Sequence, residues 1–237
     1  MTHIAFILAG GSGQRAGGSL PKQFWKVNGK TILEYSLESF HSISSIDEMV
    51  LITHPAWRQT CEGILAGNRF PKIRHLIDGG RERYLSVLAA LKLYEGQSCH
   101  LLIHDAVRPL VTRRIIEEVI ASLQKYGAVN VAIPATDTII EVDPEHNCIS
   151  RIPDRSRLYQ VQTPQGFHNE VLQKAYRQAL QDPHFKTTDD CGVVKRYLPE
   201  QEIKIVPGDI TNLKLTYQED LILIEQLLKN RGIECAG

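Results

Sequence analysis

The strongest chemical signal follows the first apolar run of the chain and reads Leu8-Ala-Gly-Gly-Ser-Gly-Gln-Arg15. Its glycines allow a sharp turn, so bare backbone N–H groups can approach a phosphate or the edge of a base. Arg15 and Lys22 add two fixed positive charges to this loop, as a polyanion such as a nucleoside triphosphate requires. A Walker A loop is excluded because Gly-Lys-Ser/Thr is absent from the end of the loop. The loop also departs from the dinucleotide-binding fingerprint, because Ala16 stands where the third glycine often stands. The alternative is a merely flexible glycine-rich turn.

A carboxylate with metal-binding potential stands in His104-Asp105-Ala-Val-Arg108-Pro109, directly after another apolar run. The carboxyl ends of parallel strands border the crevice in which α/β proteins bind their ligands. A hard oxygen ligand at that place suits Mg²⁺. We therefore predict that Asp105 is a magnesium ligand, and a helix cap is the alternative role.

A second glycine turn, Asp78-Gly79-Gly80, precedes a helical pattern that contains Ser86. Its backbone amides and the Ser86 hydroxyl are suited to hold a base and a ribose, whereas the alternative is an ordinary strand-to-helix turn. Asp189 and Asp190 open a later helix, where acids favour the macrodipole, so we predict a structural role for both. The histidines show no metal spacing and no paired nucleophile, so neither a zinc site nor a hydrolase triad is expected.

Short apolar runs alternate with amphipathic ones through the first 135 residues, which predicts right-handed βαβ units. We expect a Rossmann-like, open and mostly parallel sheet with helices on both faces. Predicted strands are Ile4–Leu8, Met49–Thr53, Ile73–Leu76, His100–Ile103, Ala128–Ile133 and 202–206. Capping residues predict the starts of three helices, at the capping box Thr31–Glu34, at Thr112 and at the capping box Thr216–Glu219, which opens the last helix. Four further helices are predicted over residues 55–67, 81–95, 168–180 and 189–197.

The alternating segment 137–152 interrupts this rhythm and contains a turn at Pro144. It predicts a β-hairpin arm inserted into a single domain of residues 1–237. Because such an arm has little core of its own, we expect it to pack on a second subunit and form a homodimer. The alternative is a surface hairpin folded on its own sheet.

Charge balance and cysteine usage limit the classes of partner. The 237 residues carry 27 Lys+Arg against 27 Asp+Glu, so binding through bulk charge is excluded, and neither nucleic acid nor a membrane is expected as a partner. An anionic ligand must instead meet a local cluster of cations. Five scattered cysteines without a CxxC pair indicate reduced thiols. With no signal peptide or long apolar run, these features predict a cytoplasmic protein.

The loop motif, followed by Pro21-Lys22, resembles nucleotidyltransferases that load a nucleoside monophosphate onto a sugar or polyol phosphate. Gln23 narrows the resemblance to cytidylyltransferases acting on 2-C-methyl-D-erythritol 4-phosphate or D-ribitol 5-phosphate. It extends from residue 3 to about residue 228. The resemblance implies a Rossmann-like fold with a dimerising arm, CTP as a substrate and Mg²⁺ as the cofactor.

The resemblance also assigns roles to single residues. Arg155 is expected to reach the site of the partner subunit, and Lys214, which alone would be an ordinary strand lysine, matches a second catalytic lysine. We expect Arg15, Lys22, Arg108, Arg155 and Lys214 to converge on one cleft. The expected catalytic residues are Arg15, Lys22 and Lys214; the nucleotide-binding residues are Ala9, Gly10, Gly11, Gly80, Arg83 and Ser86; the substrate-binding residues are Arg108, Asp137, Thr138, Arg155 and Thr163.

Departures from the methylerythritol pattern bear on which polyol is used. Val107, Ile140 and Tyr159 look more like the ribitol phosphate branch, whereas Thr188-Asp-Asp190 looks more like the methylerythritol branch. We predict D-ribitol 5-phosphate, giving CDP-ribitol for cell-surface polymers. The alternative is 2-C-methyl-D-erythritol 4-phosphate in non-mevalonate isoprenoid biosynthesis. Two more remote alternatives are a Rossmann-type oxidoreductase and a catalytically silent nucleotide-binding protein.

Overall fold

A computed structural model describes residues 1–11 and 20–234, with side chains to residue 230. The strands are β1 (Thr2–Ala9), β2 (Lys26–Val27), β3 (Lys30–Thr31), β4 (Glu48–Thr53), β5 (Ile73–Asp78), β6 (Cys99–Asp105), β7 (Ala128–Pro134), β8 (Glu141–Asp143), β9 (Cys148–Arg151), β10 (Tyr159–His168) and β11 (Ile203–Pro207). The helices are α1 (Ile32–His41), α2 (Arg58–Leu65), α3 (Arg83–Leu91), α4 (Arg113–Ser122), α5 (Asn169–Ala179), α6 (Asp190–Tyr197) and α7 (Asp220–Glu234). None of these described helices is both long and apolar enough to cross a bilayer.

Seven strands form the central sheet in the order β11-β7-β10-β6-β1-β4-β5. All six predicted strands are confirmed, and they pair in parallel wherever they are neighbours. Strand β10, which the sequence did not predict, enters antiparallel between β6 and β7. Its residues 160–165, which read Gln-Val-Gln-Thr-Pro-Gln, lack the apolar run that marks a buried strand. The fold is therefore the expected open, mostly parallel α/β sheet.

Helices cover both faces of the sheet, as predicted. One buried cluster lies under α1, α2 and α4, and a second lies under α3, α5 and α6. These two layers exclude water from both faces of the central strands, which is why β1, β4 and β6 carry continuous apolar runs. A third, smaller cluster fixes α7 to the same body through Ile224 and Leu215.

Two of the three predicted helix starts are confirmed. The Thr31–Glu34 capping box opens α1, and the Thr112 side chain caps α4. The third prediction is wrong, because α7 begins at Asp220 and not behind a Thr216–Glu219 box. The Asp220 carboxylate accepts hydrogen bonds from the backbone N–H of Thr216 (2.7 Å) and of Tyr217 (2.8 Å), so it takes over the role predicted for Glu219.

The segment predicted as an arm forms a two-stranded sheet of its own, in which β8 pairs only with β9. Its large apolar side chains remain exposed in the single chain. They are Ile139, Ile140, Val142, Ile149 and Ile152. The hairpin therefore does not add strands to the central sheet, and its apolar surface is available for a partner.

Candidate active site

A cleft of about 520 Å³ opens at the carboxyl ends of the parallel strands. Residues that end these strands lie side by side, because Ala9 is in register with Thr53, and Leu8 with Asp105. The predicted site residues that line the cleft are Ala9, Gly10, Gly11, Lys22, Gly80, Arg83, Ser86, Asp105 and Lys214. Three separated predictions, the glycine loop, the second glycine turn and the acidic strand end, thus meet at the edge where α/β sheets bind ligands.

The two glycine turns are packed against the Ser86 hydroxyl group. Gly80 donates its backbone N–H to Ser86 Oγ at 3.1 Å. A Cβ atom at Gly79 would lie 2.6 Å from the same oxygen, and one at Gly10 would lie 3.3 Å from it. Residue 79 must therefore be glycine for the turn to approach α3 so closely.

Gln23 fixes the start of the glycine loop. Its buried side-chain amide donates to the carbonyl oxygens of Ala9 (2.8 Å) and Gly11 (2.9 Å). These bonds satisfy two carbonyl groups from inside the protein. The sequence used Gln23 only to narrow the resemblance, whereas the structure gives it a role in shaping the loop.

Asp105 is the central anion of the cleft and contacts two cations. Arg83 Nε lies 3.0 Å from its Oδ1, and Lys214 Nζ lies 2.8 Å from its Oδ2. Burial alone would raise the pKa of the Asp105 carboxyl, but the charges of Arg83 and Lys214 outweigh burial and hold that pKa well below its ordinary value. The carboxylate is therefore ionised at neutral pH, as a metal ligand must be.

Lys214 reaches the cleft because its segment pairs with the loop behind β6. The backbone N–H of Leu215 donates to the carbonyl oxygen of Val107 at 2.9 Å. Lys22 Nζ in turn donates to the Thr216 carbonyl oxygen at 3.1 Å. The two predicted catalytic lysines therefore line the same cleft, although their positions in the chain are far apart.

A buried network supports Asp105 from below. The backbone N–H of Asp105 donates to Thr163 Oγ1 at 3.2 Å, and Thr163 Oγ1 lies 3.0 Å from His104 Nδ1. His104 Nε2 lies 3.1 Å from the Arg108 carbonyl oxygen, which can only accept, so the proton is on Nε2 and the Thr163 hydroxyl donates to Nδ1. Burial lowers the pKa of His104 to about 4, which keeps its ring neutral.

Other predicted site residues do not line this cleft. Arg108 is buried and donates to the backbone carbonyls of Asn212 (2.8 Å) and Val161 (3.2 Å). Arg155 is exposed and donates to the Thr136 carbonyl oxygen at 2.9 Å. The other three are exposed Asp137, exposed Thr138 and buried Thr163.

The expected convergence of five cations is thus only partly visible in the single chain. Lys22 and Lys214 share the cleft, whereas Arg108 and Arg155 lie elsewhere. Arg15 lies outside the described residues. Sequence reasoning did not place His54, Arg81, Glu82 or Val107 at the cleft, although each lines it.

The residues present fit a magnesium ion in one specific way. No group of three or more His, Cys, Asp or Glu side chains among the described residues could enclose a metal ion. Mg²⁺ is nevertheless often held by one or two carboxylates together with substrate phosphates and water. Asp105, ionised and facing a cleft wide enough for a nucleotide, is suited to that mode.

A Rossmann-like sheet with glycine turns, lysines and a buried carboxylate at its carboxyl edge suits a nucleoside triphosphate, and the comparison with known families identifies the class as nucleotidyltransferase. The profile of the 2-C-methyl-D-erythritol 4-phosphate cytidylyltransferase (IspD) family matches residues 3–230. The chain belongs to this family and is a CTP-dependent cytidylyltransferase.

Individual relatives support the same family. The chain is 42% identical to a 2-C-methyl-D-erythritol 4-phosphate cytidylyltransferase of Thermobifida fusca, covering 95% of this chain and 92% of the relative. It is 43% identical to the bifunctional ribulose 5-phosphate reductase/CDP-ribitol pyrophosphorylase of Haemophilus influenzae, covering 97% of this chain but 49%, about half, of that relative. The solved 4-diphosphocytidyl-2C-methyl-D-erythritol synthase of Anaerococcus prevotii superposes with a TM-score of 0.85 at 30% identity, covering 96% of both chains.

Proposed function

We propose that the chain transfers CMP from CTP to D-ribitol 5-phosphate, giving CDP-ribitol and pyrophosphate. The observation that carries this choice is Val107, a departure from the methylerythritol pattern that lines the cleft itself. Two further departures, Ile140 and Tyr159, lie exposed on the arm segment and at the start of β10. The relative described as a CDP-ribitol pyrophosphorylase, 43% identical, adds support.

The second candidate acceptor is 2-C-methyl-D-erythritol 4-phosphate. The Thermobifida fusca relative, whose description names this substrate, is 42% identical, nearly the same as the Haemophilus influenzae relative. The Thr188-Asp-Asp190 motif also favours it. Overall identity therefore does not separate the two acceptors, and the proposal depends on the residues at the site.

Steady-state pyrophosphate release, measured with CTP and each polyol phosphate in turn, tests the proposal. We expect kcat/KM for D-ribitol 5-phosphate to exceed that for 2-C-methyl-D-erythritol 4-phosphate by at least about tenfold, a barrier difference of about 1.4 kcal/mol. A Val107→Ala variant should lower the ratio of kcat/KM for D-ribitol 5-phosphate to kcat/KM for 2-C-methyl-D-erythritol 4-phosphate. A wild-type preference for the methylerythritol substrate would overturn the choice of acceptor and leave the cytidylyltransferase activity standing.

The proposed reaction is an in-line displacement. A phosphate oxygen of the polyol phosphate attacks the α-phosphorus of CTP, and the bond between that phosphorus and the bridging oxygen breaks. The bonding electrons leave with pyrophosphate. Because the second pKa of a phosphate monoester is about 6, the attacking group is a dianion at neutral pH and needs no general base.

The main barrier is charge repulsion, which the cations of the cleft reduce. Lys22 and Lys214 are proposed to contact the phosphates, and Arg83 lines the same cleft as these two lysines. Arg15 keeps its predicted catalytic role outside the described residues. Asp105 would hold Mg²⁺, which supplies further positive charge to the phosphates when bound.

The substrate phosphate is proposed to contact residues beyond the single-chain cleft. Thr138 and Arg155 belong to the exposed segments at the two ends of the arm. We propose a homodimer formed through residues 137–152, in which Arg155 reaches the site of the other subunit. The exposed isoleucines of the arm support this assembly. A cytoplasmic location is also proposed, since the four cysteines in the described part of the chain are free thiols.

A further inference from the structure

Asp190 is a fully buried carboxylate that lies behind the cleft. It is the first residue of α6 and has no exposed surface. Its Oδ2 accepts from Arg83 Nη1 at 2.6 Å, and its Oδ1 accepts from the Tyr176 hydroxyl at 2.6 Å. The sequence assigned Asp190 a favourable interaction with the helix dipole and a place in the Thr188-Asp-Asp190 motif, but no contact with the site. A carboxylate that is buried and directly paired with a site residue has a more specific role.

Arg83 bridges two carboxylates, one on each side. Its Nε contacts Asp105 inside the cleft, and its Nη1 contacts Asp190 behind it. The guanidinium is therefore held by an ion pair on each side, and the Arg83 side chain still lines the cleft.

Lys214, the other cation on Asp105, is held less firmly. Its side chain is 45% exposed, against 26% for Arg83, and within the described part of the chain Lys214 forms an ion pair with Asp105 alone, whereas Arg83 forms two. When phosphates enter the cleft, Lys214 can turn towards them at little cost. Arg83 would have to leave a buried carboxylate unpaired, which is strongly unfavourable.

We propose that Asp190 is a positioning residue for nucleotide binding, which holds Arg83 fixed beside Asp105 so that Lys214 is the cation free to exchange onto the phosphates. Asp190 itself does not line the cleft and acts through Arg83. The inference rests on CTP dependence and is independent of which polyol phosphate is used.

The test compares Asp190→Asn with Asp182→Asn. Asp182 is a matched control because it also holds an arginine and a tyrosine, Arg196 at 2.7 Å and Tyr197 at 2.6 Å, and none of these three residues lines the cleft. The Kd for CTP is measured by calorimetry in EDTA. Asp190→Asn should raise it at least about tenfold, the scale of one charge-assisted hydrogen bond, and Asp182→Asn should leave it within about twofold. The KM for the polyol phosphate should stay within about twofold in both.

The variant Tyr176→Phe distinguishes the proposal from a purely structural role of Asp190. It removes the second hydrogen bond to Asp190 but leaves Arg83 in place, so the proposal predicts that the Kd for CTP stays within about twofold of the wild-type value. If Tyr176→Phe and Asp190→Asn weaken CTP binding equally, Asp190 acts through the packing of α5 and α6, and the proposal is overturned.

A second comparison covers the case in which Asp190→Asn does not fold. The double variant Arg83→Met/Asp190→Asn removes both charges of this ion pair, so neither is left unpaired. Because Asp190 acts through Arg83, the Kd of the double variant for CTP should equal that of the single variant Arg83→Met. A further loss of tenfold in the double variant would contradict the inference. Absence of CTP binding by the wild-type protein would instead contradict the cytidylyltransferase function.

Discussion

Replacing Lys214 with glutamine should separate catalysis from stability. Lys214 Nζ lies 2.8 Å from Asp105 Oδ2, and its side chain is half exposed. Such a partly exposed ion pair contributes at most about 1 kcal/mol, so the melting temperature should fall by no more than about 4 °C. A charge within about 4 Å of a phosphate in a cleft of intermediate dielectric is worth about 4 kcal/mol, so kcat/KM should fall about 10³-fold.

The assay is pyrophosphate release with saturating polyol phosphate, beside a thermal melt of the same sample. Lys229→Gln is the matched control, because Lys229 Nζ forms a 2.8 Å ion pair with Glu225 on α7, and neither residue lines the cleft. That variant should keep kcat/KM within about twofold. If Lys214→Gln retained activity within about threefold of the wild type, the charge argument for this lysine would be wrong.

Three other perturbations test the fold and the assembly. A Cβ at Gly80 would collide with the Leu85 side chain in the first turn of α3, so Gly80→Ala should lower the free energy of unfolding in urea by about 1–3 kcal/mol. The control Gly63→Ala adds a Cβ in open space on α2, so it should leave the free energy of unfolding unchanged or raise it. The pKa of buried His104 is about 4 instead of 6.5, so protons bind the unfolded chain more readily than the folded one. The free energy of unfolding should therefore fall as the pH drops from 6.5 towards 4, and His104 should account for about 2 kcal/mol of that fall at pH 5. His104→Gln should reduce the fall, whereas the control His75→Gln, at an exposed position, should not. Ile149→Asp on the arm should convert a dimer to a monomer in light scattering, and an unchanged mass would refute the arm interface.

The sequence predicts the strands that are buried on both faces and the residues that end them. Mostly apolar runs mark β1, β4, β6 and β7, and the register of β1 with β6 then brings the glycine loop to Asp105. Strand β10 was missed because half of its buried residues, Gln162, Thr163 and Gln165, are polar and are satisfied by side-chain hydrogen bonds that only the folded chain supplies.

Pairings between distant residues were beyond sequence reasoning. Asp190 lies 107 residues from Arg83, and no local pattern indicates that α6 begins directly behind α3. The resemblance located Arg108 and Thr163 near the substrate, but the Arg108 hydrogen bond to Asn212 and the Thr163 hydrogen bond to His104 both depend on long-range pairing in the folded chain. A motif identifies residue types, whereas the tertiary fold decides which polar groups remain available to a ligand.

A crystal structure of the CTP complex would show which residues hold the triphosphate. We expect the triphosphate to lie between the Gly10–Gly11 turn and the two lysines, Lys22 and Lys214, with the base near Gly80 and Ser86. Binding of the triphosphate in the separate groove beside α5, whose lining includes Lys174, Arg177 and Glu200, would contradict this placement.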